Sequence, residues 1–324
     1  MCTAVSYRAQ EHYFGRNLDF EYSYEESVAI TPRNYPFHFR KAYPMHTHYA
    51  MIGIAYVKDE YPLYYDATNE KGLSMAGLHF PGNAVYLSEK QGMHNIAPFE
   101  FVPWVLAQCQ TVQEAKRLLE QTNLIKIAYS EDLPLSPLHF LISDAHSSIV
   151  VEPGKDGLCI SDNPVGVLTN NPPFPYQMHH LNNYMGLSRK EPVNRFAKEI
   201  PMEIYSRGMG AIGLPGDLSS SSRFVRASFV KCNSLCGETE EENVAQFFHI
   251  LASVEQQKGC VKLSSGEYEY TIYSSCCNTE RGIYYYRTYR NSTITAVDMH
   301  RENLDGDRVI AYPVKWEQYI RWEN

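Results

Sequence analysis

Cys2 follows Met1 directly. Aminopeptidases commonly remove an initiator Met when the next residue is small, and Cys qualifies. Removal leaves one residue bearing both a thiol and a free α-amine. The reference pKa values of the two groups are about 8.5 and about 7.7–8.0. The amine can then serve as general base for its own side chain, with no histidine required. The competing reading is an incidental small residue, since cysteines are often simply packed. A second cluster follows in Tyr13-Phe14-Gly15-Arg16-Asn17-Leu18-Asp19. Strand alternation would put Asn17 and Asp19 on one face and Arg16 and Leu18 on the other, unless a bulge at Gly15 re-aims them. An arginine beside a thiol raises the thiolate fraction. A carboxylate near an α-amine can orient it and hold its proton. Taken alone, the run reads better as a strand with a surface ion pair.

Other reactive types are less organised. His46-Thr47-His48 could present two imidazoles on one strand face, but no carboxylate or Cys pattern completes a metal site. Cys232 and Cys236 lie one helical turn apart without the second pair that a zinc site needs. Cys276-Cys277 reads as packed thiols, and His179-His180 as helix surface. No phosphate-binding loop or dinucleotide fingerprint appears, so neither a cofactor nor a metal is expected.

The elements that must position these residues can be outlined from pattern. Segments 3–7, 12–20, 27–31, 49–57 and 73–80 are rich in β-branched and aromatic residues and punctuated by Gly, Asn and Pro. A helical pair at 101–110 and 111–121 follows, the second opened by the Thr111/Glu114 capping box. Strands return at 139–143, 148–152 and 165–169, with Asp144-Ala145-His146-Ser147 as a hairpin turn. Helices are predicted at 176–185, at 223–235 and from the Thr239/Glu242 capping box to Val254. Tyr-rich hairpins occupy 268–276, 282–289 and 293–299. Blocks of strands separated by helices favour an α+β fold with antiparallel sheets. With no repeat or linker, residues 1–324 read as one domain.

Composition limits the partners. The 29 basic and 37 acidic residues give a net charge of −8, which offers no field for nucleic acid. The longest apolar stretches run about seven residues, well short of the roughly 18 needed to span a bilayer. No basic or apolar leader precedes Cys2, so the expected location is the cytoplasm, where the eight cysteines should be mostly free thiols.

Beyond chemistry and pattern, the sequence resembles the choloylglycine hydrolase family, which groups bile salt hydrolases with penicillin V acylases among the N-terminal-nucleophile hydrolases. The resemblance begins with Met1-Cys2-Thr3-Ala4-Val5 and Phe14-Gly15-Arg16-Asn17-Leu18-Asp19. It continues through Asn69-Glu70-Lys71-Gly72-Leu73, Ala76-Gly77-Leu78, Gly166-Val167-Leu168-Thr169-Asn170-Asn171-Pro172 and Gly213-Leu214-Pro215-Gly216-Asp217. Ser222-Arg223-Phe224, Tyr273-Ser274-Ser275-Cys276 and Gly282-Ile283-Tyr284-Tyr285-Tyr286 complete it in the family's order. Among the members, bile salt hydrolases of Gram-positive gut bacteria look most similar. The resemblance implies a four-layer αββα sandwich and a homotetramer, with segment 184–210 a candidate for the contacts. It implies Cys2 as nucleophile, Arg16 against the sulfur, Asp19 near the α-amine, Asn170 as oxyanion donor and Arg223 as added positive charge. Asn171 is a weaker alternative to Asn170. One position departs from the pattern. After Ala76-Gly77-Leu78 the bile salt hydrolases usually carry Asn and the penicillin acylases often Tyr, whereas this chain has His79. His79 is placed in the oxyanion site through its backbone N–H or its ring. Asn83 reads as a turn residue.

An apolar acyl group needs an apolar wall with few polar anchors. Leu18, Phe20, Tyr24, Leu133, Leu135 and Leu138 are the candidates, with Tyr61 and Tyr65 behind them. The implied activity is hydrolysis of glycine- or taurine-conjugated bile salts such as glycocholate and taurocholate. Penicillin V or another apolar-acyl amide is the alternative substrate. A silent relative that only binds amphipathic ligands is the alternative class. A conventional Cys–His–Asn hydrolase would need a histidine beside a reactive cysteine, a role open only to His79.

Overall fold

The structure is a computed structural model describing residues 1–324. Its strands are β1 (Cys2–Arg8), β2 (His12–Phe20), β3 (Ser27–Thr31), β4 (Met51–Lys58), β5 (Tyr61–Asn69) and β6 (Ser74–His79), followed by β7 (His94–Ile96). After α1 (Phe101–Leu106) and α2 (Val112–Leu119) come β8 (Thr122–Leu124), β9 (Leu138–Ser143), β10 (Ser148–Gly154), β11 (Gly157–Asp162) and β12 (Val167–Leu168). Helices α3 (Phe174–Leu181), α4 (Ser220–Asn233) and α5 (Glu240–Ala252) precede β13 (Val261–Lys262), β14 (Tyr268–Asn278), β15 (Ile283–Thr288), β16 (Thr295–Asp298) and β17 (Ile310–Pro313).

Two large antiparallel sheets form. The first runs β12-β1-β2-β14-β15-β16 with β13 added to β14, and the second runs β11-β10-β9-β6-β5-β4-β3-β17. They stack face to face. Val28, Ile30, Ile52 and Ile54 of the second sheet meet Ile272, Tyr273, Tyr284 and Tyr286 of the first. Helix α1 and helix α2 cover the outer face of the second sheet through Phe101, Val105, Val112 and Ala115. Helices α4 and α5 cover the first through Phe224, Ala227, Phe247 and Leu251. The result is an α–β–β–α stack. Because both faces of β1 are covered, it is buried continuously from Cys2 to Tyr7 rather than in alternation.

Two irregularities matter for the site. Ile54 faces Asp66 and Ala55 faces Tyr64, so Tyr65 bulges out of the β4–β5 ladder. Likewise Thr271 faces Asp19 and Tyr273 faces Leu18, so Ile272 bulges from β14. A bulge frees backbone groups and re-aims side chains.

Several elements differ from their sequence outline. Strand β5 was not apparent, because Pro62 near its start and the polar Asp66 and Asn69 mask a strand buried by its neighbours. β11 and β17 were not apparent either. Helix α4 starts at Ser220, not Arg223, because Ser219 caps it by accepting from the Ser222 N–H. Helix α1 ends at Leu106, short of Gln110, and α3 begins at Phe174 and ends at Leu181. The strand expected at 165–169 narrows to Val167–Leu168. The Thr239/Glu242 capping box is complete. At Thr111 only half of one forms, since Glu114 turns back to the Gln110 N–H instead.

Candidate active site

Strand β1 begins at Cys2, held between β2, where Cys2 faces Leu18, and the short β12. The alternation read from β2 holds. Asn17 faces the helical layer, donating to the Leu251 carbonyl at 3.0 Å, while Arg16 points between the sheets. Arg16 is fully buried, and its guanidinium shares the cleft with the Cys2 sulfur, close enough for the two charges to act on each other. Its Nη1 donates to the carbonyls of Tyr65 (3.0 Å) and Gly77 (2.5 Å). Strands β5 and β6 pair through Asp66 and Ala76, so Tyr65 and Gly77 occupy the place of the next rung. Arg16 therefore fills the split where these strands part. Burial alone would weaken its hold on its proton; the Cys2 sulfur, Tyr273 and Asp66 more than offset that.

Beneath Cys2 a second guanidinium organises the opposite side. Arg223 of α4, also fully buried, donates to the Cys2 carbonyl (2.6 Å), Thr3 Oγ1 (2.7 Å) and Asn170 Oδ1 (2.8 Å). Asn170 Oδ1 also accepts from the Cys2 backbone nitrogen at 2.8 Å. Two donors at Oδ1 fix the amide orientation, so Nδ2 faces the His79 carbonyl at 2.7 Å. Asp19 lies 3.9 Å from Arg223 Nη1 and accepts from Thr271 Oγ1 at 2.6 Å, while its Oδ2 has no hydrogen-bond partner. Burial pushes the Asp19 carboxyl above its usual range, although Arg223 and the nearby terminal ammonium oppose this. With Met1 in place, that ammonium donates to the Asp19 carbonyl and pairs with Glu269, and the Cys2 nitrogen is an amide.

A cleft opens over the sulfur. Cys2, Arg16, Asp19 and His79 line its inner end. Leu18, Phe20, Tyr24, Leu133, Leu135 and Leu138 line it too, together with Tyr65. Seventeen of its 24 lining residues are hydrophobic, which suits an apolar acyl group. Tyr56, Leu63, Phe99, Val102 and Tyr129 also line it and had no sequence signal, because their segments reach the cleft only through the fold. Asn170 and Arg223 lie beneath Cys2 rather than on the wall. Tyr61 is not on the wall either; its ring sits among Phe37, Phe99 and Tyr129.

His79 ends β6 with an exposed side chain on the cleft. Partial desolvation of its ring against the cleft, and then the terminal ammonium, lower its pKa. Its neighbour Phe80 stacks on the buried His139 at 4.2 Å, which holds the segment in place. Asn83 and Asn171 hydrogen-bond each other, and Asn171 also donates to the Pro81 carbonyl, so both secure the following turn. The remaining histidine and cysteine candidates lie elsewhere. His48 is buried with both ring nitrogens on carbonyls, of Tyr49 and Tyr35, while His46 is exposed. Cys232 and Cys236 are exposed free thiols. Burial raises the thiols of Cys276 and Cys277. His179 and His180 lie in the last turn of α3.

Residues 2–312 match the model of the linear amide C–N hydrolases, choloylglycine hydrolase family. The chain belongs to that family. Among choloylglycine hydrolases and their kin, it is 56% identical to the "Bile salt hydrolase/transferase" of Lactiplantibacillus plantarum, over 98% of both chains. It is 38% identical to the protein of the same name from Clostridium perfringens, over 96% of both. The crystal structure of the C2A mutant of the conjugated bile acid hydrolase from Clostridium perfringens superposes with a TM-score of 0.92, covering both chains fully at 37% identity. A penicillin V acylase from Agrobacterium tumefaciens shares the fold, with a TM-score of 0.77 at 20% identity over 98% of this chain and 94% of that one. As a choloylglycine hydrolase the chain is a linear amide C–N hydrolase with the N-terminal-nucleophile fold. No helix is long and apolar enough to cross a membrane.

Proposed function

We propose that this enzyme hydrolyses the amide bond of bile salts conjugated to glycine or taurine, with Cys2 as nucleophile once Met1 is removed. The observation that carries the reading is the Cys2 thiol, placed with Arg16 in a cleft whose walls are mostly apolar. The 56% identity to a bile salt hydrolase/transferase over nearly the whole of both chains supports the substrate class.

The free α-amine of Cys2 takes the thiol proton, and the sulfur attacks the amide carbon. The C–S bond forms as the carbonyl becomes an oxyanion. Asn170 holds the nitrogen of Cys2 at its Oδ1 and has a second Nδ2 hydrogen for the oxyanion; His79 supplies the further donor. A preorganised donor of this kind lowers the barrier by about 2.7–4 kcal/mol. The α-ammonium returns its proton to the leaving nitrogen, and the C–N bond breaks to give a thioester and the free amino acid. Water, losing a proton to the same amine, then cleaves the thioester to the bile acid and regenerates the thiol. Asp19 and Arg223 hold the amine and the backbone of Cys2 through both steps. The acyl group lies along Leu18, Phe20, Tyr24, Leu133, Leu135 and Leu138. Residues 1–324 act as one domain and assemble as a homotetramer in the cytoplasm.

The deciding experiment measures glycine and taurine release from glycocholate and taurocholate by wild type and Cys2→Ser, with intact mass recorded on each sample. Turnover by wild type with Met1 absent supports the reading. Failure with Met1 removed transfers the assignment to penicillin V or another apolar-acyl amide. Failure on every amide leaves a ligand-binding relative.

A further inference from the structure

Two fully buried guanidiniums, Arg16 and Arg223, flank Cys2. Arg223 has Asp19, at 3.9 Å. Arg16 is equally buried but has no carboxylate within ion-pair reach. The acid nearest in role is Asp66, fully buried and one residue beyond the Tyr65 carbonyl that Arg16 grips. The bulge at Tyr65 turns Asp66 toward the first sheet. There it accepts from the hydroxyls of Tyr284 (2.5 Å), Tyr273 (3.0 Å) and Ser275 (3.4 Å). Ser275 Oγ in turn accepts from the backbone N–H of Arg16 at 3.1 Å. One buried carboxylate thus collects three hydroxyl donors, and one of these also fixes the strand that carries Arg16.

Burial pushes the Asp66 carboxyl above its usual range; Arg16, the buried cation within its field, and the three hydroxyl donors oppose this and favour the ionised form. We propose that Asp66 is a positioning residue for the nucleophile. It is the counter-charge that holds the Arg16 guanidinium against the β5–β6 split and limits how much of its positive field reaches the Cys2 sulfur. The inference deepens the proposed function and rests on Cys2 being the nucleophile, but not on the identity of the acyl group. A thiolate whose basicity is lowered too far attacks more slowly, because nucleophilicity falls with pKa. Two bare guanidiniums beside one sulfur would do that, and Asp66 and Asp19 each temper one of them.

The test reads the sulfur directly. Alkylation of the Met1-free enzyme by iodoacetamide is followed against pH, with the N-terminal peptide quantified by mass so that the other seven thiols do not contribute. The groups around the sulfur are Arg16, Asp19 and His79 in the cleft, Arg223 beneath it and the α-amine, with Glu269 acting on Asp19 and Arg223. Those facing Asp66 are Arg16, Tyr273, Tyr284 and Cys277, with Glu26 acting on Tyr273. All but the substituted residue are common to each comparison. Asp66→Asn is expected to move the alkylation midpoint down by about one pH unit, a tenfold gain in thiolate at a fixed acidic pH. Tyr284→Phe removes one donor, makes Asp66 easier to neutralise and moves the midpoint the same way by less. Asp66→Glu is expected to restore the wild-type midpoint in part. An unchanged or raised midpoint in Asp66→Asn overturns the proposal. If that variant does not fold, an unchanged or raised midpoint in Tyr284→Phe does so. A merely structural role would lower melting temperature and leave the midpoint in place. If glycocholate and taurocholate prove not to be substrates, the alkylation profile still decides the role of Asp66.

Discussion

At the scale of single residues, Asn170 carries more contacts than an oxyanion donor requires. Its Oδ1 receives both the Cys2 nitrogen and Arg223, while Nδ2 ties down the His79 carbonyl. Asn170→Asp keeps the acceptor and loses the donor. We expect kcat to fall by about 10²–10³-fold with KM little changed, because the lost contact belongs to the transition state. Steady-state kinetics on glycocholate check this, and a pure KM effect would contradict it. His12 makes a different prediction. Its Nε2 meets Ser6 Oγ and its Nδ1 meets Thr279 Oγ1, both at 2.9 Å, and burial lowers its pKa to about 3. In the unfolded chain the ring takes up a proton below about pH 6.5, whereas in the folded chain it does so only near 3. Stability is therefore lost as pH falls through that window, by about 3 kcal/mol between pH 7 and 4 from this residue. His12→Gln, measured by urea unfolding at both pH values, should lose correspondingly less. Cys2, Arg16 and Asp19 stand out in the sequence because they fall in one short N-terminal stretch, and the resemblance implies their roles. Asp66 and Glu269 do not, because only pairing between strands distant in sequence brings them to Arg16 and to the N-terminus.

At the scale of elements, the capping boxes and the bulges divide stability from function. Thr239 accepts from the Glu242 N–H, and Glu242 answers to the Thr239 N–H, far from Cys2. Thr239→Ala should cost about 1 kcal/mol in urea unfolding and leave kcat/KM unchanged. Gly15 is the opposite case. A Cβ there would stand 2.0 Å from the Ser275 carbonyl oxygen, so β14 approaches β2 only because this residue has no side chain. Gly15→Ala must push β14 away, carrying Ser275 and its bonds to Arg16 and Asp66. We expect about 1–3 kcal/mol of destabilisation together with a loss of kcat, read by thermal unfolding and turnover on one preparation. Destabilisation without loss of turnover would show that the strand spacing does not set the site. Elements with strong local signals, such as β2, β3 and α5, could be read from sequence to within a few residues. Strand β5 could not, since its Asp66 and Asn69 are tolerated in a strand only by partners the fold supplies: three hydroxyls for Asp66, and the carbonyls of Leu106 and Cys109 for Asn69.

At the scale of the whole molecule, one segment exposes an unusual amount of apolar surface. Between α3 and α4 the polypeptide leaves the sandwich, and its neck is closed by the Ser188 N–H on the Gly210 carbonyl at 2.8 Å. Within it Met185 (83% exposed), Val193 (76%), Phe196 (80%) and Tyr205 (81%) face outward, joined by Ile200, Met202 and Ile204. Ordering such a segment costs roughly 1–2 kcal/mol per residue of backbone entropy, and in an isolated chain its apolar side chains return none of it. Exposed apolar surface of this kind is what contact with another copy would cover, and the resemblance to the choloylglycine hydrolases implies a homotetramer. The net charge of −8 on each chain opposes association at long range, so added salt should favour it. We therefore expect sedimentation velocity at micromolar concentration to give a tetramer that is firmer at high salt. The double substitution Phe196→Glu with Tyr205→Glu should shift it toward monomer while the far-UV circular dichroism stays native. A wild-type monomer would remove the role assigned to the segment. A tetramer untouched by the double substitution would place the contacts elsewhere.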